Sequence, residues 1–183
     1  MDRRVERRIG GREVFRGRII TVKEDQVELP DGRRTTREVV LHPGAVGILP
    51  IDADGRIVMV RQYRYPVGAV LLETPAGKLE PGEDPAACAA RELAEETGLR
   101  AERLTRIARY YSSPGYSNEE IHLYLAEGLS EAPPAAADDE EFITVERVPV
   151  AEAVAMVHDG RIANATTVIA VLEAARRLGV RDA

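Results

Sequence analysis

Residues 77–99 read GKLEPGEDPAACAARELAEETGL, and this stretch decides how the rest of the chain is read. Asp84 is placed to cap a helix, Pro85 suits its first position, and Gly98 supplies the left-handed residue that ends it. Between them Ala86, Ala90, Leu93 and Thr97 recur as a small, apolar stripe suited to close packing on a sheet. The opposite side is acidic. Glu92 and Glu96 are i,i+4 neighbours and Glu95 lies three residues from Glu92, so the three carboxylates emerge together. Like charges at that spacing cost an isolated helix about 0.2–0.5 kcal/mol, and more in a cleft, so a compensating cation is expected. Arg91 on a solvated helix face is one answer. A hard divalent cation, Mg²⁺ or Mn²⁺, is the other, since it takes carboxylate and carbonyl oxygens and completes its shell with water and substrate phosphates. The helix alone leaves both open.

Working upstream, Leu71-Leu72-Glu73-Thr74-Pro75-Ala76-Gly77 leads into the helix loop and sets the Ala76 carbonyl and the Gly77 backbone beside its start. Residues 45–51 form a nearly continuous apolar run, the mark of a strand covered on both faces, and the Asp54-Gly55 turn leads to a strand over 56–65 that Pro66 ends. His42-Pro43-Gly44 separates this part from an N-terminal meander of short strands at 13–16, 17–23, 26–29 and 34–41, preceded by an Arg-rich, frayed 1–9. So few strands bury little alone and must pack on the main body or on a second copy of the chain. Downstream, strands are expected at 104–111, 120–127 and 142–148, helices at 151–159 and 165–178, and a mobile acidic loop at 129–141. The expected fold class is α/β, a mixed sheet between helices over 44–183, preceded by a small antiparallel β meander over 1–43.

Composition narrows the function classes. A chain of 183 residues with 44% hydrophobic and 31% charged residues suits a globular protein with a real core. A net charge of −6 argues against a nucleic-acid surface, and the eleven basic residues of the first forty are interleaved with eight acidic ones. The single cysteine, Cys88, excludes an intrachain disulfide, and its place inside the helix suggests a buried, inert thiol. No apolar run approaches the ~20 residues of a membrane span, and the N-terminus has no apolar signal-peptide core, so a cytoplasmic protein is expected.

The stretch also matches G-x5-E-x7-R-E-U-x-E-E-x-G-U, where U is aliphatic, at Gly77, Glu83, Arg91, Glu92, Leu93, Glu95, Glu96, Gly98 and Leu99. At average residue usage a chance match in a chain of this length is on the order of one in a million. In this pattern the chain resembles the Nudix hydrolases. The resemblance implies an α/β/α sandwich and hydrolysis of a nucleoside diphosphate derivative with Mg²⁺ or Mn²⁺ held by Glu92, Glu96 and the Ala76 carbonyl, with Glu95 close by. It gives Arg91 the task of orienting motif glutamates such as Glu83.

Further likeness points to the ADP-ribose pyrophosphatase subfamily: Leu72 to Gly77, Ser113-Pro114-Gly115-Tyr116, and Gly160-Arg161-Ile162-Ala163-Asn164-Ala165. Pro114, fifteen residues beyond Leu99, resembles the subfamily marker, although Tyr116 falls near a tyrosine that marks diadenosine polyphosphate hydrolases. Enzymes of this subfamily take the catalytic base from a loop after the motif. That implies Glu141, with Asp139 and Glu140 as neighbouring alternatives. The same resemblance implies a homodimer reached through the N-terminal strands, Arg37 and Glu38 near the adenine, Arg64 at a phosphate, and Gly77 and Gly115 in the substrate site. The products would be AMP and ribose 5-phosphate.

Overall fold

The computed structural model describes residues 4–133 and 142–180. Residues Met1–Gly44 with Tyr111–Glu120 form one compact unit, and Ala45–Tyr110 with Ile121–Ala183 another. The smaller unit is an antiparallel sheet in the order β1-β2-β3, built from β1 (Arg7–Arg16), β2 (Thr21–Glu28) and β3 (Arg34–Leu41). Its strands are longer and fewer than the sequence pattern suggests. Arg7 and Arg8, expected to be frayed, lie in β1 because they pair across the sheet with Glu28 and Asp25, each at 2.8 Å. The segments expected at 17–23 and 26–29 merge into β2, whose register with β3 is unbroken. The loop after Tyr111 joins this unit through Val40, whose N–H donates to the Tyr116 carbonyl at 2.8 Å.

The larger unit carries the motif. It comprises β4 (Ala45–Pro50), β5 (Arg56–Arg64), β6 (Ala69–Glu73), β7 (Ala76–Lys78), α1 (Pro85–Thr97), β8 (Leu99–Tyr111), β9 (Glu120–Glu131), β10 (Thr144–Pro149), α2 (Val150–His158) and α3 (Ala165–Leu178). One sheet has the order β7-β4-β9-β8, with β4 and β9 parallel; the other is an antiparallel β10-β5-β6. Every residue of β4 is buried, as its unbroken apolar run requires. Leu49, Met59, Leu123 and Leu125 meet Ala153 and Val154 of α2 and Ala170 and Val171 of α3 on one side. On the other side Val46, Ile48, Val58, Tyr124 and Ala126 meet Cys88, Ala89 and Leu93 of α1. Alternation along β4 and β9 thus feeds two cores, and the result is an α/β/α sandwich.

Several boundaries differ from the sequence pattern. β6 and β7 appear where a lead-in loop was expected, because residues 64–68 turn back on themselves with the N–H groups of Val67 and Gly68 on the Arg64 carbonyl. β9 runs on through Leu129 to Glu131, so the expected loop starts later, and Phe142 is exposed and precedes β10. On α1 the buried stripe passes through Ala89 rather than Ala90, which is exposed. Alanine has so little apolar area that a run of it scarcely signals which side faces the core. Among the described residues, no helix is long and apolar enough to cross a membrane.

Candidate active site

The ends of α1 are where local chemistry puts them. The Asp84 carboxylate accepts from the N–H groups of Ala86 (2.9 Å) and Ala87 (3.1 Å), and Gly98 closes the helix at φ 68° with its N–H on the Ala94 carbonyl. These caps fix which side chains leave the helix toward the loop before it. Arg91 is the hub. Its Nε and Nη2 donate to the two oxygens of Glu83 at 3.0 and 3.1 Å, and its Nη1 donates to Glu92 at 2.8 Å and Glu95 at 2.9 Å. One planar guanidinium therefore holds three carboxylates in a fixed relation, which a flexible ammonium could not do.

Glu83 also accepts from the Glu80 N–H at 2.9 Å. Arg91 first, and this backbone donor second, hold its carboxyl down at about 2, while the carboxylates raise Arg91 further above its already high value. Because the folded pKa of Glu83 is depressed, its contribution to stability is full above the unfolded value near 4.5 and is lost as pH falls toward about 2. We expect Glu83→Gln to lower Tm most at pH 6–7, with the gap to the parent protein closing progressively below pH ~4.5. A gap that stays constant down to pH 3 would contradict this linkage. Burial pushes the neighbouring Cys88 thiol up to about 12, so it stays protonated and unreactive.

Glu92 and Glu96 reach from successive turns of α1 to adjacent points of the backbone, Gly77 and Ala76. The Ala76 N–H donates to Glu96 Oε2 at 3.2 Å. A Cβ placed on Gly77 would lie 1.9 Å from both Cδ and Oε1 of Glu92, so the carboxylate occupies the space a side chain would need. Only glycine admits this approach. Three carboxylates, Glu83, Glu92 and Glu95, thus share one guanidinium and Glu96 adds a fourth negative charge at Ala76, which leaves an excess of negative charge at this end of β7. Among the described residues no three His, Cys, Asp or Glu side chains form a ready-made cage for an ion. Two carboxylates and a carbonyl nevertheless suit the incomplete protein shell of Mg²⁺ or Mn²⁺, whose remaining positions go to water and phosphate oxygens.

Arg64, at the end of β5, lies in the same unit, and its side chain is 38% exposed. Its Nε and Nη2 donate to Glu73 Oε2 at 2.9 and 2.7 Å, and Asn164 Nδ2 donates to Glu73 Oε1 at 2.9 Å. The sequence pattern singled out neither Glu73 nor Asn164 as a site residue. The available signal was a glutamate directly after the apolar run Val70-Leu71-Leu72, a position whose burial is costly unless paired.

The other expected residues fall elsewhere. Arg37 and Glu38 lie on β3 of the smaller unit, where Arg37 makes a two-pronged ion pair with Glu6 at 2.6 and 3.0 Å. Pro114 and Gly115 lie in that unit's turn, in which the N–H groups of Tyr116 and Ser117 both return to the Ser113 carbonyl. Asp139, Glu140 and Glu141 lie outside the described residues.

The chain's relatives bear on this arrangement. A model of the NUDIX domain matches residues 41–169, and one of the nucleoside diphosphate sugar hydrolase N-terminal domain matches residues 6–40. The chain is 44% identical to a methanol dehydrogenase activator of Bacillus methanolicus and 41% identical to an ADP-ribose pyrophosphatase of Bacillus subtilis (strain 168). Each alignment covers 91% of this chain and 90% of the relative. A solved structure described as an ADP compounds hydrolase superposes with a TM-score of 0.83 at 26% identity, covering 97% of both chains. With the domain model spanning most of the sequence and the motif residues gathered on α1 and its loop, the chain belongs to the Nudix family.

Proposed function

We infer that this protein hydrolyses the diphosphate of ADP-ribose, giving AMP and ribose 5-phosphate. The observation that carries the reading is that Glu96 accepts from the Ala76 N–H while Glu92 fills the space beside Gly77, where the absence of a Cβ is a steric requirement. The substrate follows from the Bacillus subtilis relative and from the matched N-terminal domain of nucleoside diphosphate sugar hydrolases.

In this proposal water attacks one phosphorus and the anhydride P–O bond breaks, with one phosphate leaving as AMP or ribose 5-phosphate. A divalent cation, Mg²⁺ or Mn²⁺, held by Glu92, Glu96 and the Ala76 carbonyl would neutralise diphosphate charge and polarise the attacking water. Arg91 keeps Glu92 and Glu95 oriented while it clamps Glu83. Arg64 presents its remaining guanidinium edge to a phosphate oxygen. Glu141 receives the proton from the attacking water, and Arg37 and Glu38 contact the adenine, with Pro114 and Gly115 contributing to substrate choice. A cytoplasmic homodimer joined through β1–β3 is part of the same proposal.

The test is steady-state kcat/KM with Mg²⁺ and with Mn²⁺ over ADP-ribose, ADP-glucose, GDP-mannose, diadenosine polyphosphates and NADH, run on the parent protein and on Glu141→Gln. A clear preference for ADP-ribose with AMP as product, lost in Glu141→Gln, is expected. Equal rates across the panel would replace ADP-ribose with a broad nucleoside diphosphate specificity. A fully active monomer in sedimentation would remove the dimer.

A further inference from the structure

We propose that Glu73 and Asn164 are positioning residues for the diphosphate site that act through Arg64, with the Thr74 backbone and α3 anchoring them. The inference rests on Arg64 as the phosphate contact. Glu73 is 1% exposed, although it is a carboxylate near the end of β6. A buried charge is retained only where it is paired and its remaining lone pairs are used, and here both oxygens are engaged. Oε2 takes two N–H groups of Arg64, and Oε1 takes the Asn164 amide.

Asn164 in turn caps α3. Its Oδ1 accepts from the Thr167 N–H at 3.1 Å and from the Thr167 hydroxyl at 3.3 Å. That hydroxyl oxygen accepts from the Thr74 N–H at 3.1 Å, with both threonines buried. Two residues further on, Ala76 N–H meets Glu96, and between them the Pro75 carbonyl accepts from Ile48 N–H at 2.8 Å. A continuous, satisfied hydrogen-bond path therefore runs from the Arg64 guanidinium to the Thr74 N–H, two residues before the Ala76 N–H that Glu96 meets. Such a path holds its members to one geometry, since any break leaves a buried polar group unpaired.

The pairing also decides which edge of Arg64 is available. Nε and Nη2 are committed to Glu73, so the Nη1 side of a partly exposed guanidinium is the one left to meet a phosphate. An arginine without that tether would have to be ordered by the substrate itself, which weakens binding.

The test is a double-substitution cycle between Glu73→Gln and Arg64→Ala, read as KM and kcat for ADP-ribose. Glu73→Gln should raise KM about tenfold, the weight of one charge-assisted hydrogen bond, with kcat within about twofold, because phosphate binding is lost equally from ground and transition states. In the Arg64→Ala background the same change should add almost nothing. Multiplicative effects, or a fall in kcat with KM unmoved, would overturn the proposal.

Asn164→Ser keeps a good helix cap while removing the amide donor, so it should lower Tm by leaving Glu73 Oε1 without that partner and should raise KM about two- to threefold. It serves as the second variant should Glu73→Gln fold poorly, and an unchanged KM would count against the proposal. A readout without substrate separates this inference from the proposed reaction. The Arg64 Nε–H NMR signal, assigned by its loss in Arg64→Lys, should exchange slowly in the parent protein and fast in Glu73→Gln. Slow exchange in both would refute the tether even if ADP-ribose is the substrate. Failure of the parent protein to turn over ADP-ribose would refute the substrate and leave the tether to be judged by this signal.

Discussion

Glu96→Gln is expected to leave the protein folded and to lower kcat/KM with ADP-ribose by about 10²–10³-fold at saturating Mg²⁺, the scale on which single groups stabilising transition-state charge act. The amide keeps the volume of the carboxylate, and its oxygen can still accept from the Ala76 N–H that now lies 3.2 Å from Oε2. What disappears is the negative charge. Its loss also removes an i,i+4 repulsion from Glu92, so unfolding in urea should show stability equal to the parent or higher by about 0.3 kcal/mol. Charge at this position therefore serves chemistry at a small cost in stability. A rate within a few fold of the parent, with the fold intact, would remove Glu96 from the site.

Gly77→Ala should be nearly as damaging to turnover, by about 100-fold, although it alters no ionisable group. The new methyl would fall 1.9 Å from the carboxyl carbon of Glu92, so the carboxylate must swing away from the Gly77 backbone. Glu92 is 14% exposed at its side chain and accepts from Arg91 Nη1 at 2.8 Å, so the shift should cost about 1–3 kcal/mol of stability, typical of a new close contact. The diagnostic is non-additivity. Once Gly77→Ala has displaced Glu92, Glu92→Gln should cost little more, whereas in the parent background it should cost as much as Glu96→Gln. Independent, multiplicative losses would mean that the glycine serves some purpose other than admitting Glu92.

Legibility from sequence followed the range of the forces involved. The caps of α1 act within one turn, so Asp84, Pro85 and Gly98 announced the helix limits without any tertiary context. Arg91 reaches Glu92 and Glu95 on its own helix, a partnership the spacing suggests, whereas its clamp on Glu83 in the adjoining loop was implied by the family motif. β4 was legible because a strand buried on both faces needs an unbroken apolar run. The buried face of α1 was misread at Ala90 because alanine tolerates either environment. β6 and β7 were missed because a five-residue and a three-residue strand carry too few residues for a period to show.

By itself, then, the amino-acid sequence determined the carboxylate-bearing helix, its ends and the class of fold that must cover β4. All of these are set by interactions between near neighbours or by the burial of a continuous apolar segment. The tertiary structure alone decided that Glu92 would press against Gly77, that Glu96 would meet Ala76 twenty residues away, and that Glu73 would be tied to an asparagine ninety-one residues later. Those contacts depend on how β6, β7, α1 and α3 are set against one another around the core. No spacing along the chain encodes a distance that only packing creates.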